Sequence, residues 1–303
     1  MSERAERSVV AIPTFRRPKN LARLLEALAM LATGAEIAVL VADNDATGRE
    51  GFELCARLAP SYRWPLKAVI APERGIAQVR NLLVTEALKD EKASFIAMID
   101  DDEWPDPQWI TQFLKAQRQS GADVLQGSIL FGDKSGATPD IRRVSGPVAM
   151  LQGAGNLFLA RARLARMTPP WFDTAFALTG GEDRDFFLRL AREGARFAWC
   201  DEARAHGDVP ESRANLGWAL KRAYSIGNSD MRVLLKHRPG AATRAVEAAK
   251  IMGALLLSLP LAVILSPSPN HRLRPLAKLC RAAGKLTAMM GWRYNEYAVV
   301  HGE

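Results

Sequence analysis

The stretch Phe95-Ile96-Ala97-Met98-Ile99-Asp100-Asp101-Asp102-Glu103-Trp104-Pro105 decides the fold, because it joins an apolar strand directly to four consecutive carboxylates. Like charges at a strand end repel each other, so the run is either a solvated acidic turn or a binding site for a cation. In an extended backbone Asp100 and Asp102 lie on one side while Asp101 faces away. Two carboxylates aimed at one point suit Mg²⁺ or Mn²⁺, which completes its coordination with water and phosphate. We therefore expect Asp100 and Asp102 to bind a divalent metal at the carboxyl end of a sheet strand.

Strands and helices alternate around this stretch. Short apolar runs predict strands at residues 8–12, 37–42, 66–70 and 95–99. Helical spacing of apolar residues predicts helices between them, at residues 21–31, 52–58, 75–89 and 107–119. This alternation predicts an α/β sandwich with a parallel sheet between layers of helices. The first strand leads into residues 13–18, which lack the Gly-x-Gly-x-x-Gly turn of a dinucleotide-binding fold.

Composition narrows the class of protein. With 303 residues and 48% apolar content, the chain can bury one large core or two modest ones. The three cysteines, Cys55, Cys200 and Cys280, are far apart, which supports neither a disulfide framework nor a zinc site and predicts a reducing compartment. The N-terminal residues run straight into a strand without the apolar stretch of a signal peptide, so we expect a cytosolic chain.

The positive charge lies at the C-terminal end. Residues 204–303 hold 15 Lys and Arg against 6 Asp and Glu, a net charge of +9, whereas the whole chain carries +8. Such a region favours a phosphate-bearing partner or an anionic membrane surface, although a basic face without a partner is an alternative. The chain has no zinc finger or RNA-binding signature, so we expect no nucleic-acid partner.

Five motifs occur in order along the chain. They are Ile12-Pro13-Thr14-Phe15-Arg16-Arg17-Pro18, Asp43-Asn44-Asp45, Gly75-Ile76-Ala77 with Arg80-Asn81, Ile99-Asp100-Asp101-Asp102-Glu103-x-Pro105, and Thr179-Gly180-Gly181-Glu182-Asp183-x-Asp185. An isolated Asp-x-Asp occurs by chance in many chains, whereas five motifs in this order are specific. Over residues 8–230 the chain resembles family-2 glycosyltransferases of the GT-A fold, most of all the bacterial succinoglycan-type enzymes that extend lipid-linked exopolysaccharide units.

The resemblance implies a GT-A three-layer sandwich and a role for each motif. It implies nucleotide roles for Pro13, Thr14 and Asp43. We expect the same site to include Phe15, Arg17, Asn44, Gly75, Arg80 and Asp101. It also implies metal binding through Asp100 and Asp102, with Mg²⁺ or Mn²⁺ as cofactor. Asp43 could accept a hydrogen bond from a uracil N3–H or a ribose hydroxyl, or could instead be a turn or helix-cap residue. Arg80 could clamp the diphosphate, with a surface ion pair as the alternative.

The second half supplies candidates for the base. The resemblance assigns the catalytic base to Asp183, in the first turn of a helix that follows Gly180 and Gly181. Favourable interaction with the helix dipole explains one acidic residue there but not three, so we expect a carboxylate presented to a pocket, with Glu182 as the second candidate. Asp185 would pair with Arg184 or Arg189, or cap the helix. His206 follows a strand at residues 196–200 and is a candidate third metal or diphosphate contact, with a satisfied surface histidine as the alternative.

The C-terminal region contains fifteen uncharged residues, 251–265, with Pro260 near the middle and basic residues on both sides. Fifteen residues fall short of the ~20 that a spanning helix needs, and positive flanks favour a segment that enters and leaves the same cytoplasmic face. A buried hairpin of a soluble domain is the alternative. Attachment at the membrane would place the enzyme beside a polyprenyl-diphosphate-linked saccharide acceptor.

Together these patterns predict a catalytic domain at residues 1–230 and a basic helical region at 231–303. The predicted activity is an inverting, metal-dependent glycosyltransferase that acts on the cytoplasmic face of the inner membrane as a peripheral or monotopic protein. A sugar nucleotidyltransferase is the alternative enzyme, although residues 13–18 lack its Gly-rich, Lys-bearing loop. A membrane-associated protein that binds a nucleotide sugar without turning it over is the alternative outside enzymes.

Overall fold

The computed structural model describes residues 6–132, 143–208, 212, 215–265 and 269–296. The chain forms two compact units. The first comprises residues 1–174 and 186–209, and the second comprises residues 175–185 and 210–303. The structure thus groups residues 210–230 with the C-terminal helices, while the functional boundary at residue 230 stays a prediction.

The first unit is built on one mixed sheet. Its strands are β1 (Arg7–Thr14), β2 (Glu36–Asp43), β3 (Leu66–Ile70), β4 (Phe95–Met98), β5 (Glu103–Pro105), β6 (Val124–Gly132), β7 (Gly146–Val148), β8 (Leu157–Ala160) and β9 (Phe197–Asp208). Among the described residues the strand order is β3-β2-β1-β4-β8-β6-β9-β5, and β7 pairs with β9. The first four strands pair in parallel as predicted, whereas β8 runs antiparallel to both β4 and β6. The parallel sheet predicted from the first half of the chain is therefore confirmed. The second half adds the antiparallel strand β8, together with β6 and β9, which run parallel to each other.

Helices cover the sheet of the first unit. They are α1 (Pro18–Ala29), α2 (Glu50–Leu58), α3 (Ile76–Leu88), α4 (Trp109–Ser120) and α5 (Arg161–Arg166), and α6 (Glu182–Arg192) has its first turn in the second unit. Val10 and Ile12 of β1 pack in one core with the leucines of α1 and with Trp109 and Phe113 of α4. Because strand side chains alternate, the residues between them face the opposite side, and α3 packs against β1 and β2. The parallel strands therefore end at one edge, beyond which their loops meet.

The second unit consists of α7 (Leu216–His237), α8 (Ala241–Ile264) and α9 (Pro269–Met289), together with residues 175–185. Its small core contains Met231, Ile251, Ala282 and Ala288. Helices α7 and α9 touch through their backbones at two glycines. A Cβ atom on Gly227 would lie 2.1 Å from the Arg281 carbonyl oxygen, and one on Gly284 would lie 2.0 Å from the Tyr224 carbonyl oxygen. Both positions therefore require glycine for this helix pair to pack.

Helix α8 continues through Pro260 and is longer than the apolar run seen in the sequence. Among the described residues it is the one helix whose length and composition would allow it to cross a membrane. Residues Ala241–Ala262 have a mean hydropathy of 1.6 over the most apolar window, of which 22% is buried. The core helix of a soluble protein can meet the same length and composition criteria. The length and composition of α8 are thus compatible with membrane association.

Candidate active site

The loops that follow β1 and β4 meet at the carboxyl edge of the sheet. These strands are parallel neighbours, with Ala11 opposite Met98. The hydroxyl of Thr14 donates to Asp101 Oδ2 at 2.8 Å, and the Phe15 amide donates to the same oxygen at 3.4 Å. Strand register thus brings together two of the motifs found in the sequence, although 87 positions separate Thr14 from Asp101.

Arg17 binds two members of the acidic run. Its Nη1 atom lies 3.1 Å from Asp101 Oδ1 and 2.9 Å from Asp102 Oδ2. Burial opposes the charge of Arg17, but the neighbouring carboxylates of Asp101 and Asp102 outweigh it and hold the pKa of the guanidinium above its ordinary value. A cationic group of the protein, the Arg17 guanidinium, therefore lies at the acidic run, where the sequence analysis expected a cation.

The backbone of the acidic run is not extended. The Glu103 amide donates to the Asp100 carbonyl at 3.1 Å, which makes residues 100–103 a turn between β4 and β5. The argument that Asp100 and Asp102 alternate on one side, with Asp101 facing away, was therefore wrong. Asp101 faces the loop after β1 and shares Arg17 with Asp102, because a turn removes the twofold alternation of a strand.

Arg80 binds the first carboxylate of the run. Its Nη2 atom, carried by α3, lies 3.2 Å from Asp100 Oδ1, and the arginine side chain is only 6% exposed. A surface ion pair is therefore excluded for Arg80. Arg17 and Arg80 approach the acidic turn from two different elements, and each contacts a carboxylate through one guanidinium nitrogen. A guanidinium is a planar fork of N–H donors that also suits phosphate.

Two members of the run are deeply buried. Burial raises the pKa of Asp101 to about 7, although Arg17 and Thr14 favour its charged form. Burial, followed by the charges of Asp100 and Asp102, raises the pKa of Glu103 well above its ordinary value. Glu103 Oε2 has no hydrogen-bond partner in the described residues, and Glu103 was not among the residues selected from the sequence. The sequence signal that could have identified Glu103 is its position as the fourth consecutive carboxylate, directly before Trp104 and Pro105.

The loop after β2 is held by its own side chains. Asp43 accepts from the Asp45 amide at 2.9 Å and from the Phe52 amide in α2 at 3.0 Å. Asn44 accepts from the Gly75 amide at 2.8 Å and donates to the Glu73 carbonyl at 2.7 Å, which ties the loop before α3 to β2. These contacts match the turn and helix-cap alternative for Asp43. Contacts of Asp43 and Asn44 with a nucleotide stay predictions.

His206 lies on β9 opposite Trp104 of β5. Its Nε2 atom is 2.8 Å from Asp106 Oδ1, and its ring stacks on the indole of Trp104 with centroids 6.0 Å apart. The hydrogen bond of His206 Nε2 is therefore made with Asp106 and not with Asp100 or Asp102. Ligation of a metal by His206 therefore stays a prediction.

The candidate base lies in the second unit. Gly180 and Gly181 both have positive φ angles, of 74° and 101°, a conformation that glycine adopts without strain. Asp183, in the first turn of α6, is half-buried, and its Oδ1 accepts from the Arg184 amide at 2.6 Å. Glu182 is buried. Asp185 is fully buried and bound by Lys236 and His237 of α7, two partners that the sequence had not suggested.

The residues at the acidic turn fit a divalent ion. The side chains of Asp100 and Asp102 are 33% and 30% exposed, and they offer hard oxygen donors. Within the described residues no group of three His, Cys, Asp or Glu side chains could hold a metal. Mg²⁺ commonly takes only one or two carboxylates and obtains its other ligands from water and phosphate, so a pair of carboxylates is a sufficient donor set.

Comparisons with known proteins agree with this architecture. A mannosyltransferase from Pyrobaculum calidifontis, solved with GDP-Man and Mn²⁺, superposes with a TM-score of 0.64 at 15% identity, over 95% of this chain and 88% of that one. S. aureus TarS 1-349, solved with UDP-GlcNAc, superposes with a TM-score of 0.52 at 17% identity, over 95% and 93% of the two chains. At these identities the likeness concerns the fold alone. The fold is the mixed α/β GT-A fold of sugar transferases, with additional C-terminal helices.

The sequence comparisons define the family. The model of glycosyl transferase family 2 matches residues 9–164, which span β1 to α5 and include the acidic turn. The chain is 29% identical over 298 residues to the succinoglycan biosynthesis protein ExoM of Rhizobium meliloti, covering 95% of this chain and 94% of that protein. The chain therefore belongs to glycosyl transferase family 2, and it is a glycosyltransferase. The predicted resemblance, fold class and enzyme class are confirmed.

Proposed function

We propose that the protein is an inverting, metal-dependent glycosyltransferase that moves a sugar from a UDP-sugar to a saccharide carried on a polyprenyl diphosphate, in exopolysaccharide synthesis. One observation carries the proposal. Arg17 and Arg80, from two separate elements, bind the acidic turn at the carboxyl edge of the sheet, where open α/β sheets take their ligands. This arrangement provides both cationic and anionic groups for a diphosphate and its metal ion.

The donor side of the reaction needs stabilisation of a leaving diphosphate. Arg17 and Arg80 donate hydrogen bonds suited to phosphate oxygens, and Asp100 and Asp102 are the residues that would hold a divalent ion. Such an ion, when bound, neutralises negative charge that develops on the leaving group. Structures of similar fold are described with UDP-GlcNAc and with GDP-Man and Mn²⁺, which supports a nucleotide sugar as donor.

The acceptor side needs a base. The half-buried Asp183 would take the proton from the acceptor hydroxyl as that oxygen attacks the anomeric carbon and the bond to the diphosphate breaks. Glu182 is more deeply buried, which favours Asp183 between the two. A single displacement inverts configuration, so an α-linked donor yields a β-glycoside.

Helix α8 supports a lipid-linked acceptor, and the likeness to the succinoglycan biosynthesis protein ExoM supports a role in exopolysaccharide synthesis. Large apolar side chains of α8 are exposed, which favours membrane contact over a buried hairpin. They include Met252, Leu256, Leu257, Leu259, Leu261 and Ile264. Ser258 and the ion-paired Glu247 are buried, as expected for a helix that packs on the protein along one side. We propose that α8 lies in the cytoplasmic leaflet without crossing it, beside an anionic lipid surface.

Several basic residues beside the apolar segment are engaged by acidic residues of the same unit. Four of the basic residues around the apolar segment form ion pairs within the second unit: Lys236 with Asp185, Lys250 and Lys285 with Glu247, and Arg281 with Asp230. Their charge is partly neutralised by the protein. These four side chains are therefore less available to lipid headgroups than a count of basic residues indicates.

The experiment that tests the function uses full-length protein in detergent with UDP-, GDP- and dTDP-sugars. Nucleotide release is measured with Mn²⁺ and again after chelation, and the anomeric configuration of a transferred sugar is read by NMR. We expect slow, Mn²⁺-dependent hydrolysis of a UDP-sugar without acceptor, and faster release with a lipid-linked saccharide. Donor binding without turnover of any donor would contradict the proposal.

A further inference from the structure

Asp185 is held at a defined place on α7. Its side chain is fully buried, and Oδ1 lies 2.6 Å from Lys236 Nζ and 2.8 Å from His237 Nε2. A buried carboxylate is costly unless cations or hydrogen-bond donors compensate it. The two partners end α7, 51 and 52 positions along the chain from Asp185. The contact therefore fixes the start of α6 to the last turn of α7.

Helix α7 binds the rest of residues 175–185 along the preceding turns. Arg232 donates to the Thr179 hydroxyl and, at 2.9 Å, to the Ala175 carbonyl. Arg184 pairs with Asp230, which also binds Arg281 of α9. One face of α7 thus holds the segment that carries Asp183 at several successive points.

The segment needs such anchoring because its own backbone is permissive. Gly180 and Gly181 precede α6 with positive φ angles, and glycine restricts the chain less than any other residue. The backbone before Gly180 therefore does little to fix the orientation of the first turn of α6, which carries Asp183. Downstream, the Asp185 amide bonds the Gly181 carbonyl at 3.0 Å, which closes the first turn with Asp183 inside it. Fixing Asp185 consequently fixes the turn that presents Asp183.

We propose that Asp185 is a positioning residue for the reaction: through Lys236 and His237 it holds the first turn of α6 so that Asp183 faces the acceptor hydroxyl. The proposal rests on the proposed function in so far as Asp183 is the base. Asp185 itself does not touch the reacting atoms in this assignment. Its effect is on the geometry of proton transfer and not on donor affinity.

Kinetics of the full-length enzyme separate this role from a purely structural one. With the UDP-sugar that the wild type hydrolyses fastest, Asp185→Asn should lower kcat about tenfold or more while KM for the donor changes less than threefold. Lys236→Gln, a milder change of a partly exposed partner, should lower kcat in the same direction. Glu247→Gln is the matched control, because it removes another buried carboxylate with two lysine partners in the same unit. It should leave kcat within twofold.

Hydrogen exchange provides a readout that needs no donor. Asp185→Asn should speed amide exchange across residues 175–185 at least tenfold, and Glu247→Gln should not. A folded Asp185→Asn variant with wild-type kcat overturns the proposal. If Asp185→Asn does not fold, a folded Lys236→Gln variant with wild-type kcat overturns the proposal instead.

A double variant separates failure of this inference from failure of the proposed base. If Asp183→Asn lowers kcat by 10²–10⁴, adding Asp185→Asn should lower the residual rate no further, because both changes remove the same proton transfer. A further tenfold loss would mean that Asp185 acts elsewhere. Full activity in Asp183→Asn would refute the base assignment alone, and an accompanying loss in Asp185→Asn would then assign the positioned group to Glu182.

Discussion

The buried guanidinium of Arg80 on α3 lies 3.2 Å from the carboxylate of Asp100, the first residue of the acidic turn. The pair joins the helix that follows β3 to the turn that follows β4. It therefore places a permanent positive charge beside the proposed metal-binding carboxylate. Under the proposed function Arg80 binds the diphosphate and Asp100 binds its metal ion, so the pair should control donor affinity.

Arg80→Gln tests that relationship. Loss of the charge should weaken UDP-sugar binding by tenfold or more, which corresponds to about 1.4 kcal/mol, because charge-assisted hydrogen bonds to phosphate are lost. Titration calorimetry with Mn²⁺ measures the change. Arg118→Gln, which breaks an exposed ion pair with Glu6, is the control and should bind donor normally. Unchanged affinity in Arg80→Gln would make the Arg80–Asp100 pair structural.

Asp102→Asn should abolish metal-dependent donor binding while the fold is retained. The substitution removes a hard, charged ligand that is already one-third exposed, so the cost to stability should be small. Calorimetry of Mn²⁺ and UDP-sugar binding measures the loss. Asp208→Asn, which removes an exposed carboxylate paired with Arg23, should bind both normally. Full binding by Asp102→Asn would show that the acidic turn is not the metal site.

Asp183→Asn should separate binding from chemistry. Donor affinity should stay within a few-fold, whereas kcat should fall by the 10²–10⁴ that loss of a general base typically costs. Steady-state kinetics with donor and acceptor measure both quantities. Glu182→Gln is the companion variant. Retained turnover in Asp183→Asn together with its loss in Glu182→Gln would assign the base to Glu182.

Gly227→Ala should destabilise the helical unit. The added Cβ would lie 2.1 Å from the Arg281 carbonyl oxygen, so α7 and α9 would have to separate, at a cost of about 1–3 kcal/mol or more. Gly253→Ala in α8 is the control, because no atom lies within 4 Å of its added Cβ and alanine favours a helix by about 0.5–1 kcal/mol. Thermal unfolding should show a lower Tm for Gly227→Ala and an equal or higher one for Gly253→Ala. Equal Tm values for the two variants would contradict the close helix contact.

A triple substitution, Leu256→Asn with Leu257→Asn and Ile264→Asn, should release the protein from membranes. These side chains are 70%, 75% and 71% exposed, and full burial of each apolar side chain contributes about 1.5–3 kcal/mol. Binding to vesicles containing anionic lipid should therefore weaken about 100-fold or more. High salt alone should release only part of the wild-type protein.

The control for membrane binding is Met30→Asn, which changes an exposed apolar residue of the first unit and should leave vesicle binding unchanged. Deletion of all residues after 229 would not test membrane binding alone. It would also remove Arg232, Lys236 and His237, which bind Thr179 and Asp185 in the segment 175–185. Wild-type protein that stays soluble without detergent would reject the membrane anchor. If a reporter fused at Glu303 were found in the periplasm, α8 would instead cross the membrane.

The sequence by itself determined the local features of this protein. Apolar runs and helical spacing located the first four strands and their helices to within a few residues, because burial patterns repeat with the period of each element. The order of five motifs identified the family, and the acidic run after residue 99 marked the edge of the sheet at which the candidate site lies.

Only the tertiary structure decided which side chains meet. The turn at residues 100–103 directs Asp101 to Thr14 and Arg17, and no periodicity in the sequence encodes that direction. The antiparallel placement of β8 between β4 and β6 follows from long-range strand pairing. Asp185 likewise finds Lys236 and His237 about fifty positions away. Such contacts depend on the register and packing of distant elements, whereas a local pattern reports only which face of its own element is buried.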